Sequence, residues 1–178
     1  LEQAIGCPVD AAESTSIGDA KRLATEALQS GARRFITVGG DGTLNEVVNA
    51  LIIDDKPVAA DLVIAQVPAG TGNGIARSLG HFGYGSDADL IYAAIASGRT
   101  RAIDVLRVDC VDRQGAPVSR YGVLHGLLGA PATIGQRAEN LPMLKRLGPV
   151  SYVIVAAMTA LTYRPKPTQI RLDDAARP

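Results

Sequence analysis

The feature that most constrains this chain is a short apolar and β-branched run, Phe35-Ile36-Thr37-Val38, that stops at Gly39-Gly40 and passes directly into Asp41-Gly42-Thr43-Leu44-Asn45-Glu46. From there Leu44, Val47, Val48, Leu51 and Ile52 fall at helical spacing. Flanks that read strand then helix predict a glycine-rich βα corner. A hairpin turn at Asp41-Gly42 is the weaker reading, because it needs a strand on both sides. The next apolar run, Leu62 to Val67, halts in the same way at Pro68-Ala69-Gly70. Apolar runs of this continuous kind suit a parallel sheet covered on both faces. In open sheets of that class, ligands bind at the carboxyl ends of the strands.

The surrounding segments agree with that frame. Ala20, Leu23, Ala24, Ala27 and Leu28 form one helical face, with Ser14, Thr15 or Ser16 available as a cap and Gly31 placed to terminate it. A short helix is expected from about Asn73 to Leu79, then a loop over Gly80–Gly85. A further helix follows, with Leu90, Ile91, Ala94 and Ile95 on its apolar face and Gly98 at its end. After about Thr100 the pattern becomes β-rich: Ile103–Val111 and Val118–Leu124, separated by a polar turn segment, predict an antiparallel ribbon. Leu141–Leu161 reads as helix restarting at Pro149, and Gln169–Leu172 as the start of a strand. The expected fold is therefore α/β: a doubly wound, mostly parallel domain over 1–104, followed by the beginning of a β-rich second domain over 105–178.

Composition removes several alternatives. The 178 residues carry 18 Lys+Arg against 18 Asp+Glu, so the chain lacks the basic surplus of a general nucleic-acid binder. Two cysteines, Cys7 and Cys110, are too few for a disulfide framework or a four-ligand zinc knot, and read as reduced thiols of a cytosolic protein. The longest apolar run, Val150–Tyr163, is interrupted by Ser151, Thr159 and Thr162 and falls short of the roughly 18 residues of a membrane span. Residues Leu1–Gly6 are too short and polar for the core of a secretory signal. A chain opening on Leu1 and stopping at Pro178 is expected to be a fragment.

The chemistry is concentrated at the two glycine loops. Glycines let the backbone approach a ligand closely, and the helix start after Gly40 offers unpaired N–H groups and a positive dipole end to phosphate. Thr43 can cap that helix or donate its hydroxyl to a phosphate oxygen. Asp41 is unsuited to bare phosphate and makes sense beside Mg²⁺ or a ribose hydroxyl. Gly40-Asp41-Gly42 is neither a P-loop nor the dinucleotide fingerprint, since Asn45 stands where the third glycine would be. In a parallel sheet the loop Gly70-Thr71-Gly72-Asn73 would face the same crevice, with Thr71 and Asn73 as polar contacts and Gly70 and Gly72 giving room. A ligand-free corner and a flexible turn capped by Asn73 are the bland alternatives.

GGDGTLNEVVNAL followed by VPAGTGN resembles the diacylglycerol kinase catalytic family, which includes bacterial lipid kinases and sphingosine and ceramide kinases. The resemblance extends over Ser14–Ala20, Gly98–Asp104 and Leu144–Tyr152. It implies transfer of the ATP γ-phosphoryl group to a lipid hydroxyl with Mg²⁺. By matching positions, it implies that Ser14, Gly39, Gly40, Asp41, Gly42, Thr43, Leu44, Asn45, Glu46, Gly70, Thr71 and Asn73 bind ATP, with Asp41 at the metal. A lipid substrate implies transient membrane contact from a cytoplasmic location. Gly74 departs from the family pattern, where many members carry Asp, and the family's first strand is absent before Leu1. The acidic general base is expected from the second domain, beyond Pro178. Two other readings are a catalytically silent nucleotide-binding module and a soluble kinase of the NAD kinase type.

The remaining signals are weaker. His81 and His125 read as satisfied loop or core histidines, and Asp104 and Asp109 as solvated or turn-facing carboxylates. Arg137, Lys145 and Arg146 suit a solvated helix face better than lipid headgroups. Tyr152, Val153, Ala156, Ala157 and Ala160 read as a core face rather than the wall of an acyl pocket. A sheet edge left exposed would favour self-association into a homo-oligomer.

Overall fold

The computed structural model describes residues 2–70, 72–80, 88–112, 114–141, 150–165 and 167. Its first elements are a one-turn helix α1 (Glu2–Ile5) and the longer α2 (Asp19–Gln29). The end of α2 forms as its spacing predicts: Gly31 adopts φ +98°, the Gly31 N–H donates to Leu28 O at 3.0 Å and the Ala32 N–H to Ala27 O at 2.9 Å. These two bonds satisfy carbonyls that the helix end would otherwise leave open. Its start differs from expectation. None of Ser14, Thr15 or Ser16 caps it; instead the Asp19 carboxylate reaches back to accept the Thr15 N–H at 3.0 Å and the Thr15 hydroxyl at 3.3 Å.

Strand β1 (Arg34–Gly39) leads into α3 (Asp41–Leu51), which ends in a two-residue strand β2 (Ile52–Ile53) hairpinned to β3 (Lys56–Pro57). The hairpin turn is made by Asp54 and Asp55 at φ +49° and +63°, the left-handed region that short polar side chains tolerate better than other non-glycine residues. Strand β4 (Val63–Pro68) then pairs parallel to β1 from Arg34↔Val63 to Gly39↔Pro68. Helices α2 and α3 pack on one face of this pair: Ala20, Ala24, Val47, Ala50 and Leu51 are buried against Phe35, Leu62 and Ile64. Burying each large aliphatic side chain contributes about 1.5–3 kcal/mol, so the α3 face is a principal anchor of the sheet. Val38 lies on the opposite face by strand alternation and is 61% exposed, although its place in a continuous apolar run predicts burial.

Short helix α4 (Gly74–Ser78) and helix α5 (Ala88–Ala96) follow, the latter lying against α1. The loop read from Gly80 to Gly85 lies largely outside the described residues. Strands β5 (Leu106–Val111) and β6 (Pro117–Gly122) form the expected antiparallel ribbon. This ribbon packs on α3 and belongs to a first compact unit spanning Leu1–Gly126. His125 lies beyond the end of β6 and is exposed, not enclosed in a strand. Asp109 is exposed as read, bonded to Arg107 and Ser119.

The second unit, Leu127–Pro178, contains helix α6 (Ala130–Glu139) and helix α7 (Val150–Thr162) packed on each other. Nothing in the apolar spacing predicts α6; its usable signal is Pro131 in the first turn with Arg137 in the last. The buried side of α7 is Ser151, Val155 and Thr159, whereas Tyr152 and Val153 are 49% and 69% exposed and Ala157 and Ala160 are also exposed. The expected core face is thus corrected. α7 is apolar nearly all round, so its own pattern selects no side, and Arg137 chooses one by donating to Thr159 Oγ1 at 3.2 Å and Thr162 Oγ1 at 2.7 Å. Arg137 is accordingly a helix-pairing residue, not a solvated one. Lys145, Arg146 and the strand expected over Gln169–Leu172 lie outside the described residues.

Candidate nucleotide-binding corner

Because Gly39 pairs with Pro68 at the end of a parallel ladder, both glycine loops emerge from the same edge of the sheet. The ladder runs one step further, with the Ala69 N–H donating to Gly39 O at 3.0 Å. Beyond it the two loops touch backbone to backbone. A Cβ built on Gly70 would lie 2.4 Å from the Gly40 Cα and 3.0 Å from the Gly40 N, and one on Gly40 would lie 3.3 Å from the Gly70 Cα. Here glycine is required by the close approach of two strands' ends, whatever binds there. Gly39 is similarly constrained, since its Cβ would meet Thr43 Oγ1 at 2.7 Å. Gly42 is different: it is exposed, its φ is not positive, and nothing lies within 4 Å of its notional Cβ.

Helix α3 starts at Asp41 with Gly40 as its N-cap, and no side chain caps it. The first-turn amides of Asp41, Gly42 and Thr43 therefore lack an intrahelical acceptor, at the carboxyl edge of the sheet where an anion gains most from the helix dipole.

The polar side chains of the two motifs make a different set of bonds. The Asp41 carboxylate accepts the Gly74 N–H on Oδ2 at 2.8 Å and the Ile75 N–H on Oδ1 at 3.0 Å, holding the first turn of α4. Asn73, in the left-handed region at φ +48°, closes its own loop: Oδ1 accepts the Gly70 N–H at 2.9 Å and Nδ2 donates to Gly70 O at 2.7 Å. Glu46 accepts the Gly18 N–H at 2.9 Å, which ties the segment containing Ser14 to α3; Ser14 itself is exposed. Leu44 is 5% exposed in a core cluster with Val48 and Ile75, so only its main chain is open to a ligand. Asn45 offers its carbonyl to Asn49 Nδ2 at 2.8 Å. Thr71 lies outside the described residues.

Asn49, which the motif reading passes over, joins the corner's helix to the ribbon. Its Nδ2 donates to Tyr121 O at 2.8 Å and its Oδ1 accepts the Tyr121 N–H at 2.9 Å, so one amide side chain stands in for a neighbouring strand. The Tyr121 hydroxyl continues to the β2–β3 hairpin, donating to Asp55 Oδ1 at 3.1 Å and accepting the Asp55 N–H at 3.1 Å, while Arg107 pairs with Asp55 as well. Gln66 on β4, register partner of Thr37, has both side-chain polar atoms buried without a hydrogen-bond partner.

Among the described residues no group of three or more His, Cys, Asp or Glu side chains is gathered to hold a metal. Both oxygens of Asp41 accept amide hydrogens at the start of α4.

The sequence model of the diacylglycerol kinase catalytic domain matches residues 1–108. A protein of Klebsiella pneumoniae named probable lipid kinase YegS-like is 34% identical over 155 residues, covering 86% of this chain and 46% of that relative. One of Salmonella arizonae named probable lipid kinase YegS is 35% identical over 156 residues, covering 86% and 47%. A Pseudomonas fluorescens protein, also named probable lipid kinase YegS-like, is 49% identical over a shorter stretch of 63 residues, covering 35% and 20%. The chain thus spans less than half the length of these curated relatives. With the family match running through both glycine loops and over more than half the chain, this chain belongs to the diacylglycerol kinase catalytic domain family.

Proposed function

We propose that this chain is the nucleotide-binding part of an ATP-dependent lipid kinase that transfers the γ-phosphoryl group to a lipid hydroxyl. The observation that carries the reading is the pair of touching glycine loops at one sheet edge, beside the uncapped start of α3, in a chain of this family. Phosphoryl transfer asks the protein chiefly for positioning and charge compensation. The main-chain N–H groups of Gly42 and Thr43 receive phosphate oxygens, and exposed Gly42 leaves the space for them. Gly40 and Gly70 set the floor of the corner, and Glu46 holds the Ser14 segment beside α3. Magnesium, arriving with ATP, offsets phosphate charge in the loaded state. The acceptor is a lipid hydroxyl such as that of diacylglycerol or a sphingoid base, met by transient contact with a membrane surface. Among the described residues no helix is long and apolar enough to cross a membrane. A doubly wound sheet over 1–104 and a lipid-binding domain beginning at 105 belong to the same proposal.

Calorimetric titration of the folded chain with Mg·ATP tests the reading. Saturable binding that weakens at least tenfold in Gly42→Ala is expected. Absence of binding by a chain whose circular dichroism shows it folded would overturn it.

A further inference from the structure

We propose that Asp41 is a positioning residue: it locks the second glycine loop onto the first, and it does not ligate the metal that accompanies the nucleotide. This deepens the nucleotide reading above and rests on it only for its ligand half. The argument begins with the partners of the carboxylate. Its two oxygens accept two successive main-chain N–H groups, Gly74 at 2.8 Å and Ile75 at 3.0 Å, from a loop more than thirty residues away in sequence. Those groups are the first-turn donors of α4, which Asn73, at its N-cap position, does not satisfy, because both ends of the Asn73 amide are bonded to Gly70. The Asp41 charge therefore compensates the positive end of α4. A dication on the same carboxylate would share it with these two N–H groups and face their positive hydrogens. Cβ atoms built on Gly72 and Gly74 would each lie 3.5 Å from Asp41 Oδ2, an ordinary contact, so the clamp itself does not demand glycine at either position.

The consequence for the site is a division of labour. Main-chain N–H groups of α3 face the ligand, while Asp41, Asn73 and Glu46 face other backbone segments and fix where those N–H groups stand. Removing Asp41 should then weaken nucleotide binding with or without metal, because the corner loses its geometry and not a ligand.

Two measurements decide the proposal. The first is amide hydrogen exchange in the unmodified chain, which needs no variant. Gly74 and Ile75 should exchange at least tenfold more slowly than Gly42 and Thr43, the corresponding uncapped amides of α3. Equal rates would overturn the clamp. The second compares the wild type with Asp41→Asn by calorimetry, titrating ATP with Mg²⁺ and ATP in EDTA. Expected is a loss of affinity of about tenfold in both titrations, with their ratio unchanged, alongside faster exchange at Gly74 or Ile75. A ratio that collapses toward one in Asp41→Asn, against a larger ratio in the wild type, would make Asp41 a metal ligand and overturn the proposal. If the wild type binds no ATP, the nucleotide reading fails by itself and the exchange rates alone decide the clamp.

Discussion

Two glycines of the glycine loops should respond in opposite directions to the same added methyl group. In Gly70→Ala the new Cβ would stand 2.4 Å from the Gly40 Cα, a full 1.0 Å inside the 3.4 Å where ordinary contact begins. The obstacle is main chain, so no side-chain rotation relieves it. The loops must part, which strains the Ala69 N–H bond to Gly39 O at 3.0 Å and the Gly70 N–H bond to Asn73 Oδ1 at 2.9 Å. Overpacking of this kind costs about 1–3 kcal/mol, and each weakened hydrogen bond about 1 kcal/mol. Against that, alanine restricts the unfolded chain and returns about 0.4–1 kcal/mol. The net expectation is a loss of about 2–4 kcal/mol, or a midpoint lower by about 5–15 °C for a chain of this size. Gly42→Ala has no such obstacle and sits in the first turn of α3, so it should be neutral or more stable by up to about 1 kcal/mol. Urea denaturation followed by far-ultraviolet circular dichroism reads both variants. If Gly70→Ala is as stable as the wild type, or Gly42→Ala loses more than about 1 kcal/mol, the account of why these glycines are present is wrong. Combining stability with Mg·ATP titration separates the roles further. Gly42→Ala should lose binding while keeping its fold, whereas Gly70→Ala should lose both.

Asn49→Ala removes both bonds to the Tyr121 main chain and should destabilise by about 1–3 kcal/mol, with faster amide exchange at Tyr121; unchanged exchange there would show that the ribbon is held by other contacts. Gln66→Leu replaces a buried amide with no hydrogen-bond partner and should stabilise by about 1–2 kcal/mol in urea; a loss instead would mean that an ordered water or another group satisfies the amide. The Thr15 N–H, followed by the Arg22 guanidinium, holds the Asp19 carboxyl below the ordinary value of 3.8, so its contribution is fully present above that value and lost as pH falls through the lower folded one. The Thr15 amide resonance should therefore titrate below the usual aspartate range, and Asp19→Asn should abolish that titration; a Thr15 midpoint at the ordinary value would contradict the contact.

Local patterning carried the reading a long way, for identifiable reasons. β1, α3, β4 and α4 each show their period and their punctuation within about a dozen residues, and Gly31 ends α2 through bonds to Leu28 and Ala27 in the same turn. The two glycine loops were recognisable as a pair because each follows an apolar run, and their meeting needed only that the strands be parallel. Where local patterning was silent, the structure had to decide. The β2–β3 hairpin is built by two aspartates in left-handed conformations, which no periodicity signals. The buried side of α7 is not set by its own pattern, because an almost wholly apolar helix has no preferred face until Arg137 supplies one.

The amino-acid sequence by itself determined most of the strands and helices of the first hundred residues, where the glycines interrupt them, and which family the chain resembles, since all of these follow from residues near one another along the chain. Only the tertiary structure decided what the motif's polar side chains do. Asp41, Glu46 and Asn49 find their partners 33, 28 and 72 residues away, at main-chain N–H and carbonyl groups that every residue type presents alike. No pattern of side chains can announce a backbone partner, so that part of the site exists only once the segments are packed.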